Sequence, residues 1–163
     1  MFISVDEFIT EWKYEAENTL KLLNGMTDDS LDQSIGEDLR SLGELAWHIT
    51  NSIKEIISES GLKFEVPFKK DEMPGSAKEI TEKYTLASNT MILAAKSNWK
   101  DEDLKEMIKA FGFLEMPIYG LLRMAIQHQT HHRGQMTVLM RQAGLEIPGM
   151  YGPSREEWLK MKQ

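Results

Sequence analysis

Cysteine is absent from this 163-residue chain, and its absence removes several kinds of chemistry. Without a thiol the protein can form no disulfide, use no cysteine nucleophile and offer no thiolate to a metal ion. Any metal site must therefore use nitrogen and oxygen ligands. The absence also fits a reducing compartment, and we predict a cytoplasmic location.

Long apolar runs and an excess of basic residues are missing as well. No apolar run approaches the roughly 18 residues of a membrane span, and the first residues lack the basic and apolar segments of a signal peptide. Basic residues number 19 against 26 acidic ones, which gives a formal net charge of −7 at pH 7. Broad contact with a phosphate backbone needs a basic surface. We therefore predict that the protein binds neither nucleic acid nor membranes.

The sequence does contain helical periodicity, in four long segments. Glutamate follows three residues after each of four serines, which is the capping-box pattern of a helix start: Ser4, Ser41, Ser76 and Ser154. Periodicity and end signals predict helices over about 5–24, 42–59, 77–99 and 117–143, short helices within 101–110 and from 155, and a loop or crossover over 62–75. We predict an all-α fold, a four-helix bundle with a short C-terminal helix, as a single domain over 1–163.

Three of the four histidines fall within five residues, at 128, 131 and 132. His128 and His132 are four residues apart, so their imidazoles lie one turn apart on the same helix face. That face also carries Leu121 and Leu139 and is predicted to point into the core. Two imidazoles in a core need polar partners. A shared metal ion would satisfy both, but so would hydrogen bonds in the core or at a wet end of the bundle.

His48, on the second predicted helix, lies at the edge of the apolar stripe, where a lone histidine is more typical of a surface or capping residue. Two familiar metal patterns are missing. Gln129 follows His128 where zinc proteases have glutamate, and no histidine has the Glu-x-x-His spacing of di-iron bundles. The remaining metal chemistry is one ion held by about three neutral nitrogens, with positions open for water or a substrate.

The segment from His128 to Gln135, His-Gln-Thr-His-His-Arg-Gly-Gln, resembles the signature of the DinB/YfiT-like superfamily. Leu45-Ala46-Trp47-His48-Ile49 resembles its upstream histidine segment, and the helix pattern matches over nearly the whole chain. The resemblance implies a four-helix bundle, often dimeric, with a divalent ion held by His48, His128 and His132. Zinc or nickel is expected ahead of manganese or iron, although imidazole suits several metals. His131 is not a ligand in this pattern.

Three further residues near this signature receive predicted roles. Gln135 faces inward, so it could hydrogen-bond a ligand or a metal-bound water, or merely satisfy a core group or a dimer surface. Glu44 precedes His48 by four residues and could orient it or serve as a base. Arg133 points away from the histidine face, which predicts a contact on the helix surface or an ion pair.

The resemblance leaves three functional hypotheses. The first is an enzyme, a thiol S-transferase or a hydrolase-like relative, in which the metal lowers the pKa of a low-molecular-weight thiol such as bacillithiol or mycothiol. The second is a non-catalytic metal-binding module of a stress response, in which the ion stabilises the bundle or a dimer. The third is a helical interaction protein whose histidines bind no metal.

Overall fold

Apolar residues at helical spacing build four long helices in the computed structural model, which describes residues 2–162. They are α1 (Val5–Gly25), α2 (Leu42–Ile57), α3 (Ala77–Asn98) and α4 (Ile118–Gln142), and a short α5 (Arg155–Met161) follows. Both α1 and α2 pack against α3 and α4. The predicted helical bundle is confirmed. Its largest fully buried side chains include Phe8, Trp12, Leu22, Ile49, Ile57, Ile80, Tyr84 and Met91.

Local capping explains where the helices begin. Ser41 and Ser154 form the predicted capping boxes with Glu44 and Glu157. At α1 only half of the box forms, since the Ser4 hydroxyl accepts a hydrogen bond from the Glu7 amide. The box predicted at Ser76 is wrong, because that side chain makes no capping bond. Instead the Asp28 carboxylate, from the loop after α1, accepts a hydrogen bond from the Ala77 amide at 2.8 Å.

The short helix predicted within 101–110 is wrong. A single 3₁₀ turn (Asp103–Lys105) is followed by an antiparallel hairpin of β1 (Met107–Ala110) and β2 (Leu114–Pro117), with Ile108 opposite Met116. Phe111 and Gly112 both have positive φ, 53° and 77°. Two such residues in a row form the tight turn that suits a hairpin, and the Phe113 amide closes it by donating to the Ala110 carbonyl. Met107, the first residue of β1, is 67% exposed.

The connections follow the predictions more closely. Single 3₁₀ turns lie at Asp28–Ser30 and Ser58–Ser60, and residues 61–76 form the predicted loop between α2 and α3. Pro117 ends β2 and serves as the N-cap of α4, one residue before its predicted place in the first turn. Gly144, just after α4, has the positive φ expected of a helix stop. Within residues 2–162, none of the helices combines the length and the apolar character that a membrane crossing requires.

Candidate metal centre

The packing of α2 against α4 brings His48 to His128 and His132. The Nε2 atom of His128 lies 3.1 Å from Nε2 of His48 and 3.2 Å from Nε2 of His132. The three ring centroids are separated by 4.5–4.9 Å, and the rings meet edge to face. Three ring nitrogens, one from each residue, lie within 4.8 Å of one another. Two adjacent helices thus direct three nitrogen donors to one point.

The spacing of these nitrogens matches what one metal ion requires. Imidazole nitrogens bind zinc at about 2.0–2.1 Å, and bond angles of about 90–109° then separate two of them by about 2.8–3.4 Å. Both measured Nε2–Nε2 distances, 3.1 and 3.2 Å, fall in this range. His128 is the central residue of the group, because its Nε2 is the atom that both distances share. The donor set therefore fits a divalent ion of the kind that imidazole prefers.

The surroundings keep the three imidazoles neutral. Burial lowers the pKa of His48 from 6.5 to about 4, assisted by the positive charge of Arg40 and by the other two histidines. Burial likewise lowers the pKa of His128 to about 4, with His132, His131 and Arg40 adding to the effect. The pKa of His132 is also lowered, chiefly by burial. Neutral imidazole is the form that binds metal, so the site needs no deprotonation near pH 7.

Gln135 determines which nitrogen of His132 is free. Its side-chain oxygen lies 2.7 Å from His132 Nδ1. An amide oxygen only accepts hydrogen bonds, so Nδ1 carries the proton and Nε2 of the neutral ring keeps its lone pair toward the cluster. The predicted contact between Gln135 and a candidate ligand is therefore present. His131 is exposed and stacks edge to face on His132 at 4.9 Å.

Glu44, the residue suggested to orient His48 or to serve as a base, caps the start of its own helix. Its carboxylate accepts a hydrogen bond of 2.7 Å from the Ser41 amide and completes the cap of α2. Over the described part of the chain it makes no hydrogen bond to His48. A role for Glu44 in orienting His48 or as a base stays a prediction.

Arg133, next to His132 in sequence, faces the opposite side of α4 from the histidines and is buried there. Only 1% of its surface is exposed, so a contact on the helix surface is wrong, whereas the predicted ion pair is present. Its guanidinium bonds to the Glu15 carboxylate, to the Glu15 carbonyl at 2.6 Å and to the hydroxyl of Tyr151. Thr19 and Thr130 accept further bonds at 3.0 and 2.9 Å.

Gln129, which in the sequence stands out only as a departure from the zinc-protease pattern, connects three helices. Its side-chain oxygen accepts hydrogen bonds from the hydroxyls of Thr19 on α1, at 3.1 Å, and of Tyr84 on α3, at 2.8 Å. Gln129 is 2% exposed and Tyr84 is fully buried. One turn of α4 thus carries His128 toward α2 and Gln129 toward α1 and α3.

A cavity of about 420 Å³ adjoins the histidines. His132 and Gln135 line it, together with two charged residues, Asp38 and Arg40. The remaining lining residues are apolar: Ile35, Leu39, Leu45, Val138 and Leu139. A larger cavity of about 760 Å³ borders the loop before α2. Acidic residues line this cavity, and none of the three histidines does. The smaller cavity is the better candidate for a substrate because it reaches the histidine cluster.

Comparisons with known proteins agree on one relationship. A family model described as the DinB family matches residues 1–163. The uncharacterized protein YrdA of Bacillus subtilis is 48% identical over 160 residues, which are 98% of this chain and 95% of that protein. The crystal structure of a DinB-like protein from Bacillus cereus superposes with a TM-score of 0.87 at 44% identity, covering 93% of this chain and all of that one.

A more distant structure shares the fold alone. The DinB-like protein YjoA of Bacillus subtilis has a TM-score of 0.68 at 19% identity, over 91% of this chain and 99% of that one.

Proposed function

Because the chain belongs to the DinB family, we propose that His48, His128 and His132 bind one divalent metal ion, with zinc or nickel preferred over manganese or iron. The observation that carries this proposal is the convergence of three Nε2 atoms, with adjacent pairs separated by 3.1 and 3.2 Å. Their burial and their lowered pKa values support it, because neutral imidazoles compete poorly for protons and well for metals.

We further propose that the protein is a metal-dependent enzyme that transfers a low-molecular-weight thiol to an electrophile. Three protein ligands leave positions open for an incoming thiol, whose pKa a divalent ion would lower. The thiol loses its proton, its sulfur forms a bond to carbon, and the leaving group departs with its electron pair. The chain has no cysteine of its own, so the sulfur must come from a separate molecule. The adjoining cavity supplies space for one.

The proposal extends to location and assembly. We place the protein in the cytoplasm, where small thiols are kept reduced, and we propose a homodimer, as the resemblance to the family implies. The outward face of α3 exposes Leu86 and Leu93, at 43% and 67%, and a partner subunit could cover them. Sedimentation analysis of the purified protein tests the dimer, and a monomer at micromolar concentration would refute it.

The first experiment measures metal per chain by elemental mass spectrometry on untagged protein. Wild type, His48→Ala, His132→Ala and His131→Ala are purified in parallel and incubated with zinc or nickel. We expect close to one ion per chain in wild type and in His131→Ala, and loss of the ion in the other two. His131→Ala is the matched control, because it removes an exposed imidazole adjacent to His132. Equal metal in all four proteins would refute the site.

The second experiment tests the thiol. Cobalt-loaded protein is titrated with bacillithiol or mycothiol, and a sulfur-to-cobalt charge-transfer band is expected to grow to saturation. A metal that binds stoichiometrically but produces no band, and whose removal only lowers stability, would leave the non-catalytic module as the better account.

A further inference from the structure

The cavity beside the histidines is lined by polar, apolar and charged side chains. Leu39 and Val138 contribute exposed apolar surface, 54% and 53%, while His132 and Gln135 supply the polar wall. Asp38 and Arg40 bring opposite charges from the loop that precedes α2. A ligand that fills this space therefore meets nitrogen donors, aliphatic surface and a charged group.

Arg40 has a cationic side chain available to a ligand. Three other arginines, at 123, 133 and 141, each pair with a glutamate. Arg40 is exposed, and across residues 2–162 it has no carboxylate within 4 Å, not even that of Asp38. Arg40 lines the same cavity as His132, so one ligand in that space can contact both residues.

The loop that carries Arg40 is held in place. The Leu42 amide donates to the Gln33 carbonyl at 2.8 Å, and the Gly43 amide donates to the Leu31 carbonyl at 2.9 Å. Within the loop, the Ser34 hydroxyl lies 2.7 Å from the Gly36 carbonyl and 3.0 Å from that of Leu39. These bonds fix both ends of the segment against α2, so the backbone that carries Arg40 is positioned before any ligand arrives.

An unpaired guanidinium beside a divalent cation is electrostatically unfavourable, because like charges repel. An anionic ligand between the guanidinium and the divalent cation makes the arrangement favourable, since both positive groups then attract it. Guanidinium groups bind carboxylates and phosphates through paired charge-assisted hydrogen bonds, and of these two we take the carboxylate as the anionic group of a small thiol.

We infer that this cavity takes a thiol that carries a carboxylate, with the sulfur toward the histidines, the aliphatic part on Leu39 and Val138, and the carboxylate on Arg40. The inference rests on the proposed function, to which it adds the class of substrate and the residue that selects it. Asp38, which lines the same cavity, opposes an anion and moderates its affinity. Arg40 acts here as a binding residue.

The test compares two thiols of equal length, 3-mercaptopropionate and 3-mercapto-1-propanol, on cobalt-loaded protein by the charge-transfer band. We expect wild type to bind the carboxylate about tenfold more tightly than the alcohol. Arg40→Gln should remove that preference and leave the affinity for the alcohol unchanged. Asp38→Asn should strengthen the preference. Arg155→Gln is the matched control, since it deletes the same charge from an exposed arginine on α5 outside the cavity.

Equal affinity of wild type for both thiols, or an Arg40→Gln variant that weakens both equally, overturns the inference. If the protein binds no cobalt, the proposed metal site is refuted, and the cavity is tested without it. Metal-free protein is then titrated with hexanoate and 1-hexanol by NMR. Shifts of the Leu39 and Val138 methyl groups with hexanoate, lost in Arg40→Gln, would still support anion selection by this cavity. No such shifts would refute it.

Discussion

Two polar clusters lie on different faces of α4, one buried around Arg133 and one partly buried around His128, and they differ in how their polar atoms are satisfied. Around Arg133, donors meet acceptors: a carboxylate, a carbonyl and three hydroxyls surround one guanidinium, and only its Nε lacks a partner among residues 2–162. Around His128, three like groups meet one another, and its Nδ1 has no partner over the same residues.

The difference indicates what each cluster does. A network in which charges and hydrogen bonds match stabilises one packing of the helices and needs nothing further. A cluster in which three like nitrogens converge is less well satisfied by hydrogen bonds, and the cation proposed above would complete it. Adjacent residues, His132 and Arg133, therefore belong to sites of different purpose.

The largest effect is expected from Arg133→Met. The substitution leaves the Glu15 carboxylate buried without its cation, so the free energy of unfolding should fall by about 3–5 kcal/mol. Urea denaturation of the metal-free protein measures it. Metal per folded chain should remain unchanged, because Arg133 lies on the other face of α4.

Arg123→Met is the control for this loss. Arg123 also lies on α4 and also pairs with a glutamate of α1, Glu11, but the two side chains are 39% and 36% exposed, against 1% and 10% for Arg133 and Glu15. Its loss should cost below about 1 kcal/mol. Equal losses in the two variants would show that burial of the Arg133 pair contributes nothing.

Metal addition should stabilise the protein through the histidine cluster alone. At a free ion concentration 100 times the Kd, binding to the folded state adds about 2.7 kcal/mol to the free energy of unfolding. Thermal or urea unfolding with and without zinc measures the gain. It should be absent in His48→Ala and present in His131→Ala; a gain that survives in His48→Ala would place the ion elsewhere.

Lower pH should destabilise the metal-free protein through the same histidines. The pKa values of His48 and His128 fall from 6.5 to about 4 on folding, so between these values the unfolded chain binds more protons than the folded one. The free energy of unfolding should therefore be highest above about pH 6.5 and should fall as the pH drops toward 4. The difference between wild type and a His48→Asn, His128→Asn double variant isolates this effect, and parallel pH profiles would contradict it.

The sequence was sufficient to predict the long helices, because the helical spacing of apolar residues and the serine caps are local signals. The hairpin was missed because its signal is a turn at Phe111-Gly112, whose positive φ angles only the fold reveals. Ser76 failed as a cap because a distant residue, Asp28, took over its role. Local sequence patterns predict secondary-structure elements well. They predict poorly where a residue distant in sequence replaces a local contact such as a helix cap.

Within the candidate site, the approach of His128 to His132 followed from their spacing, whereas the place of His48 came from family resemblance. Burial of Arg133 was missed because one apolar face was assigned to α4. The helix packs against both α1 and α2, so two of its faces are buried. Arg40 gave no signal, since a loop residue has no periodicity that would place it beside a site on two helices.

The smallest effect is expected from Tyr151→Phe. The Tyr151 hydroxyl donates to the Glu15 carboxylate at 2.6 Å and ties the segment after α4 to the Arg133 cluster, but 57% of the residue is exposed. Solvent can replace much of this bond, so the loss in free energy of unfolding should be about 1 kcal/mol or less. Metal binding should be unaffected. Proteolysis of the segment 143–154 is the more sensitive measurement. Faster cleavage with unchanged global stability would show that the cluster anchors this segment locally. An unchanged cleavage rate would show that the Tyr151 contact contributes neither to this anchoring nor to global stability.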